Sequence, residues 1–545
     1  MKKKNLLITA SVFLVSMVLS LFVLYTPTPS SDAAGFSAVH AASYISELSR
    51  DPHALSDTQA HEEVRVYLKD KLEEFVGAAN VEEMDYTPEE VGDDCEYPIR
   101  NLLATIPGTS ETGILLVAHY DSRGHIGRAG ELGRSYGAAD DGYGLATLLE
   151  IARLYGQRTL ENSIYILMTD GEEVGLYGAR MAAQETALMD KVGFVINVEA
   201  RGVQGAAYMF ETSVKNDKVI DFYKNAQKPV SYSLATAVYT VMPNLTDFTE
   251  FLAVGKQGVN FAVLDGLYYY HTPFDNYTNI NLSSIQHYGE QIVPLVEEFV
   301  TDARYANADY FVGTQNQVFF NLLPGVFVAY SETWAIILNF IALALFIGLV
   351  VFLLIKKQIR PLGLLKQFGF VLGGIVVSVL IGLFASKLMA FFGKVPWSLT
   401  YVRMQGTELP TLLIMLALLV GFGFLVKKFL KTKADKVSLM LAGIGVNLLL
   451  ATATGFILSG ASFLFFIPAF VGIVSLILDT FVKNQVVKHV AFSQNVFWNL
   501  LILVPILFSL FLALTVGGLL ALLLILTLFA ATMIPSVFLQ LDLQK

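Results

Sequence analysis

ILLVAHYDS at 114–122, GAADDGYG at 137–144 and YILMTDGEEVG at 165–175 together decide how this chain folds. Residues 114–118 are a short, unbroken apolar run, the pattern of a strand buried on both faces of a parallel sheet. The run stops abruptly at His119-Tyr120-Asp121. Residues 164–168 form a second such run, which stops at Asp170-Gly171-Glu172-Glu173. Between them, 142–155 (GYGLATLLEIARLY) carries apolar residues at helical spacing and predicts the crossover helix of a βαβ unit. In open α/β sheets the ligand site lies beyond the carboxyl ends of the strands. His119, Asp121, Asp140, Glu172 and Glu173 are therefore expected in one crevice, where metal chemistry would sit.

Outward from this core, 101–106 and 113–118 flank Pro107-Gly108-Thr109, a turn signal, and are expected as adjacent strands. Residues 36–75 predict two amphipathic helices parted by Asp51-Pro52-His53, with Val64, Tyr67, Leu68 and Leu72 facing inward. The stretch 122–137, with five glycines and three arginines, is a polar loop beside the proposed site. Residues 178–185 predict the next helix and 194–198 a third buried strand, ending in Glu199-Ala200-Arg201-Gly202. A fourth strand, 259–264, leads into a tyrosine cluster and His271-Thr272-Pro273, and 282–301 predicts a closing helix. The fold class is α/β: a mostly parallel, doubly wound sheet, accompanied by an all-α polytopic transmembrane domain.

The transmembrane part follows from composition. The 545 residues are 54% hydrophobic, too apolar for an ordinary soluble enzyme. The excess lies at the N-terminus and beyond residue 330. Three lysines at 2–4 precede an uncharged run of about 20 residues, long enough to span a bilayer and longer than the core of a typical cleaved leader. Further spans are expected near 333–355, 365–391, 410–427, 437–459, 461–481, 494–514 and 517–539. The expected organisation is an N-terminal anchor over 1–29, an extracytoplasmic domain over 30–310, a linker over 311–332 and a membrane domain of about seven helices over 333–545. Basic residues gather at 356–366, 427–436 and 483–488, which makes those loops and the Met1 end cytoplasmic by the positive-inside rule. Net charge is −10, which argues against a nucleic-acid partner. The single Cys95 allows no internal disulfide, pointing to a bacterial cell membrane; a eukaryotic host would place the domain in a lumen or vacuole.

Zinc is bound by histidine nitrogen and carboxylate oxygen, and a catalytic site keeps a position open for water. Two metals about 3.5–4 Å apart need a bridging carboxylate and terminal ligands on each ion. The strand ends supply that inventory in His119, Asp140, Glu173, Glu199 and His271. Glu172 is left as an unliganded carboxylate where a general base belongs. Asp121, two residues from His119, can accept the free imidazole N–H and fix its tautomer.

His119-x-Asp121, Gly137-Ala-Ala-Asp140-Asp141-Gly, Asp170-Gly-Glu172-Glu173, Asn197-Val-Glu199 and Tyr270-His271-Thr272 resemble the ordered motifs of the di-zinc aminopeptidase family. That family includes glutamate carboxypeptidase, glutaminyl cyclases and the transferrin receptor. The membrane layout resembles its multi-span branch, of the endoplasmic reticulum metallopeptidase and vacuolar membrane protease type. The resemblance covers about residues 40–300 and implies a zinc-exopeptidase sheet. It also implies two zinc ions per chain, one on His119, Asp140 and Glu199 and the other on Asp140, Glu173 and His271. Glu172 would take the proton of the attacking water, Tyr270 would help stabilise the oxyanion, and the Asp140-Asp141 peptide would be cis. Glu199 stands where many members have aspartate, and the arginine-rich loop is longer than the family's usual connection.

The expected function is therefore a membrane-bound exopeptidase, foremost an aminopeptidase, acting on peptides at the extracytoplasmic face, with the lipid bilayer as its other partner. Carboxypeptidase or dipeptidase activity, with Arg123, Arg128, Arg134 and Arg201 as candidate carboxylate binders, and glutaminyl cyclisation are the enzymatic alternatives. A receptor or a transport-associated module is the non-enzymatic one. His53, His61, His125, His287 and His489 read as packing or surface histidines. Thr246-Asp247-Phe248 is a candidate wall of the substrate pocket. Asn339, Ser378, Ser386, Asn447 and Thr452 are weak as a transport pathway, because no span carries a central charge.

Overall fold

The computed structural model describes residues 2–92, 95–124, 133–240, 244–400 and 402–543. The chain divides into two compact units, Tyr25–Asn321 and a second made of Met1–Leu24 with Leu322–Lys545.

The first unit is built on a seven-stranded mixed sheet. Its strands are β1 (Val81–Tyr86), β2 (Ile99–Ile106), β3 (Gly108–His119), β4 (Leu160–Thr169), β5 (Val192–Ala200), β6 (Gln204–Thr212) and β7 (Gly258–Asp265). Their order is β1-β2-β4-β3-β5-β7-β6. The four middle strands, β4-β3-β5-β7, are parallel, and antiparallel strands extend them at both edges. The two apolar runs lie side by side, with Ile114 opposite Ile164 and Val117 opposite Leu167.

Both faces of this parallel core are covered, which is why its strands read as continuous apolar runs. Leu115, Val117 and Leu167 pack on one side with Ala179, Ala182, Phe248 and Phe251, from helices Tyr177–Gln184 and Asp247–Ala253. The crossover helix Gly142–Tyr155 and the helix Leu282–Thr301 pack against β3 and β4, and Ala38–Leu48 lies on them. In Thr58–Val76, Val64, Leu68 and Leu72 are buried as the periodicity implies, while Tyr67 is half-buried.

One expectation needs correcting. β2 and β3 are consecutive but not neighbours, because β4 lies between them, antiparallel to β2 and parallel to β3. The segment 113–117 of β3 already bonds β4 on one edge and β5 on the other, so no edge is left for β2.

The second unit is helical. Lys2–Phe22 is one helix. Six apolar helical stretches are long enough to cross a bilayer among the described residues, and the last, 485–542, comprises two helices joined through the turn Thr515–Gly518. Polar side chains inside this bundle tie helices together. Asn339 donates to the Ala451 carbonyl at 2.9 Å, Asn447 to the Leu528 carbonyl at 3.2 Å, and Ser378 bonds Thr527 at 2.6 Å. Lys433 and Lys488 both pair with the buried Asp479, at 2.7 and 3.2 Å.

Candidate metal centre

Parallel strands deliver their carboxyl ends to one edge of the sheet. β3 ends at His119, β4 just before Asp170, β5 just past Glu199, and β7 leads through a loop to His271. Asp140 and Asp141 sit at the start of the crossover helix, where the Asp141 carboxylate accepts from the Gly144 N–H at 3.1 Å. The peptide between these two aspartates is cis. Gly171, at φ 70°, takes the left-handed turn that leads β4 into the single-turn helix Glu172–Gly175.

Asp121 fastens that turn. Its two carboxylate oxygens accept the backbone N–H groups of Glu172 and Glu173, at 3.0 and 3.1 Å. Its backbone carbonyl lies 2.9 Å from His119 Nδ1, with its carboxylate 3.4 Å from the same nitrogen. A carbonyl can only accept, so Nδ1 carries the proton and Nε2 keeps its lone pair for the crevice.

Two groups then face one another. His119 Nε2 lies 3.4 Å from Asp140 Oδ1 and 3.7 Å from Glu199 Oε2. His271 Nε2 lies 3.2 Å from Asp140 Oδ2 and 3.1 Å from Glu173 Oε1. Asp140 thus presents one oxygen to each histidine. An oxygen of Asp141 also lies within 4.8 Å of donor atoms of His119 and Glu199. His119 Nε2, Asp140 Oδ2, Asp141 Oδ2 and Glu173 Oε1 are buried with no hydrogen-bond partner among the described residues. Buried polar atoms are normally satisfied, and a cluster of orphaned nitrogen and carboxylate donors fits a divalent cation of the zinc type.

Electrostatics follows from the crowding. Burial, then the acids Glu199, Glu173 and Asp247, push the Glu172 carboxyl well above its ordinary range. Asp140 moves the other way: burial opposes its charge, but His119 and His271 hold it down. His119 is raised despite burial by Asp121, Asp140, Glu172 and Glu199.

All five candidate ligands, with Glu172 and Asp121, lie in this crevice. Tyr270 stacks on His271, with ring centroids 3.7 Å apart. Tyr268 and Tyr269 instead join Phe274 in an aromatic cluster. Arg123 donates to the Glu173 backbone carbonyl and lies 3.4 Å from its carboxylate, while Arg134 pairs with Asp57 at 3.5 Å. Arg201 is within electrostatic reach of Tyr270. Arg128 and His125 lie outside the described residues. His53 and His287 bond backbone carbonyls at 3.0 Å, and His61 bonds Asp170 at 2.8 Å, all three buried. Phe248 is core, and Asp247 is buried, accepting from the Thr169 hydroxyl.

One residue here escaped the sequence reading. Asp275 is buried and accepts from the backbone N–H groups of Ala139 at 2.7 Å and Asp140 at 3.2 Å, and from Ser135 Oγ at 3.1 Å. The only signal was a carboxylate four residues past His271.

Acids and histidines in two buried groups that share one aspartate, at the strand ends of a helix-covered sheet, are the donor set of a hydrolytic metalloenzyme. Residues 101–296, the stretch that carries the site, match Peptidase family M28, which agrees with a zinc metallopeptidase. The chain is similar to endoplasmic reticulum metallopeptidase 1 of Mus musculus, 28% identical over 262 residues, covering 46% of this chain and 27% of that protein. It is similar also to the vacuolar membrane protease of Candida dubliniensis, 27% identical over 254 residues, covering 45% and 26%. The match thus spans about a quarter of the length of these curated relatives. Among solved structures, a Zn-dependent exopeptidase from Parabacteroides distasonis aligns over 48% of this chain and 98% of its own, at 19% identity and a TM-score of 0.38. A glutaminyl cyclase from an Acidobacteriales bacterium aligns over 51% and 99%, at 17% identity and a TM-score of 0.39.

Proposed function

We propose that the chain is a membrane-bound exopeptidase that holds two zinc ions and removes residues from the amino terminus of peptides outside the cytosol. The observation that carries this is Asp140, whose two oxygens face two separate histidine-and-glutamate groups. His119 and Glu199 would complete one ion's ligands, and Glu173 and His271 the other's.

Bound zinc polarises the scissile carbonyl and acidifies water. Glu172 does the proton work: its carboxylate takes a proton from the attacking water and returns it to the departing amine. Burial and the neighbouring acids make Glu172 a stronger base than an ordinary glutamate, the direction its role requires. The pull of Asp121 on two successive N–H groups aims Glu172 and Glu173 from one rigid turn. Tyr270, stacked on His271, would donate its phenolic hydrogen to the developing oxyanion.

The terminus preference follows from charge. A substrate ammonium suits the surplus of carboxylates, whereas a substrate carboxylate needs a free arginine or lysine. Arg123 is engaged with Glu173, and Arg134 with Asp57.

Matched peptides blocked at one end test this on the purified full-length protein. The C-terminally amidated peptide should be cleaved from its free amino end, and the N-acetylated one should not. Cleavage of the acetylated peptide alone would make the enzyme a carboxypeptidase. Release of pyroglutamyl peptide from an N-terminal glutamine substrate, without hydrolysis, would make it a cyclase.

A further inference from the structure

A polar row crosses the interior of the sheet behind Glu199. Asn197 on β5 is in register with Asn260 on β7, and Asn260 with Glu211 on β6, and all three are buried. Residues paired in register point to the same face of a sheet. Glu211 reaches the row only because β6 is irregular: Met209 pairs with Phe261, yet the next rung joins Asn260 to Glu211, skipping Phe210. An extra residue of this kind is a β-bulge, a device that re-aims a side chain.

The hydrogen bonds of the row run outward from Asn197, through Asn260 to Glu211 on one side and to Glu199 on the other. Asn197 Nδ2 donates to Glu199 Oε1 and to Asn260 Oδ1, both at 3.1 Å. Asn260 Nδ2 donates to Glu211 Oε2 at 3.0 Å and to Thr246 Oγ1 at 2.9 Å. An amide can be turned end for end, but an ionised carboxylate only accepts. With a carboxylate at Glu211, Asn260 must show it an N–H and turn its oxygen toward Asn197. Asn197 must then turn its own N–H groups toward Asn260 and Glu199.

We propose that Glu211 is a positioning residue for the metal site, acting through Asn260 and Asn197 to hold Glu199. Oε1 of Glu199 is kept on an N–H, and Oε2 is left 3.7 Å from His119 Nε2, facing the crevice. A glutamate has three side-chain torsions to fix, and the row fixes the last of them. This inference rests on the reading of Glu199 as a metal ligand.

The test exchanges the ends of one hydrogen bond. Glu211→Gln removes the anion that sets the direction, and Asn260→Asp sets two carboxylates against one another. In the double variant Glu211→Gln/Asn260→Asp, the new carboxylate accepts from both the glutamine and Asn197, so Asn197 again offers an N–H to Glu199. Zinc affinity of the full-length protein is read by competition with a chromophoric chelator at pH 8, with thermal midpoints confirming the fold. Each single variant should weaken binding of the ion that Glu199 holds by about 10- to 100-fold, the usual cost of losing a partner behind a metal ligand. The double variant should return to within about threefold of the native value on the same scale. Glu199→Ala serves as the reference and should abolish that ion's binding. If Glu199→Ala leaves zinc binding unchanged, Glu199 is no ligand and the inference falls with that reading. If Glu199→Ala loses the ion while Glu211→Gln does not weaken it, or the double variant does no better than the singles, the row does not position Glu199. Should the singles fail to fold, the comparison of the double variant with the native protein still decides.

Discussion

Asp140 is restrained at its backbone as well as its side chain, because Asp275 accepts its N–H and that of Ala139. Hydrogen bonds to a charged group contribute roughly 1.5–3 kcal/mol each. Asp275→Ala should therefore lower the thermal midpoint and also weaken zinc binding, by about 10- to 100-fold in a chelator titration. Glu172→Gln separates base from ligand: the metal content should stay native while kcat falls by about 10²–10⁴ or more. Near-native turnover by that variant would remove Glu172 from its role. Burial pushes Glu211 up to about 7. An acid raised in the folded state keeps its proton while the unfolded chain releases it, so its contribution is greatest below the ordinary glutamate pKa, about 4.3, and is lost as pH rises toward 7. Glu211→Gln deletes that loss. In zinc-depleted protein, the variant's stability relative to native should rise between about pH 4.5 and 7 by on the order of 3 kcal/mol, then level off. Thermal midpoints across that range check it, and a constant difference would contradict it.

At the scale of elements, the N–H groups of Glu172 and Glu173 share a single acceptor group, the Asp121 carboxylate. In Asp121→Asn only one oxygen remains to accept, so one of the two N–H groups is left without its partner. The expected cost is about 1–2 kcal/mol of stability, with kcat reduced far more than KM is changed. An unchanged kcat in steady-state assays would show that the turn is held by other contacts. This element was legible in the sequence, because central strands covered on both faces leave uninterrupted apolar runs whose ends are easy to see. The edges of the sheet were not. β1 (VEEMDY) is largely open to solvent along one edge and has no such run, and β6 (QGAAYMFET) is broken by its bulge, so both escaped notice. The pairing of β2 with β4 was hidden for another reason. The Pro107-Gly108 turn signal is local, whereas the partner of β2 arrives some 60 residues later in the chain. Asp275 and Glu211 were illegible for the same cause: each acts on backbone or side chains supplied by distant segments, and no local pattern marks them.

For the whole molecule, the basic clusters at 356–366, 427–436 and 483–488 set an orientation that would put the peptidase domain outside the cytosol. Single cysteines placed in 427–436 of a Cys95→Ala background should resist a membrane-impermeant thiol reagent added to intact cells, and should react after lysis. Ready labelling of intact cells would invert the topology. The helices themselves are tied by amide and hydroxyl side chains such as Asn339, Asn447 and Ser378. These cross-helix bonds account for those polar residues without a transport path. The proposal of a two-metal peptidase meets its most direct test in a zinc titration of the purified, metal-depleted full-length protein, with hydrolysis of a free amino-terminal peptide followed throughout. Activity should climb to its maximum at two equivalents of zinc per chain, and Asp140→Asn, which weakens the shared ligand, should lose both the second equivalent and the activity. Full activity at one equivalent, with no further zinc taken up, would contradict a two-metal site.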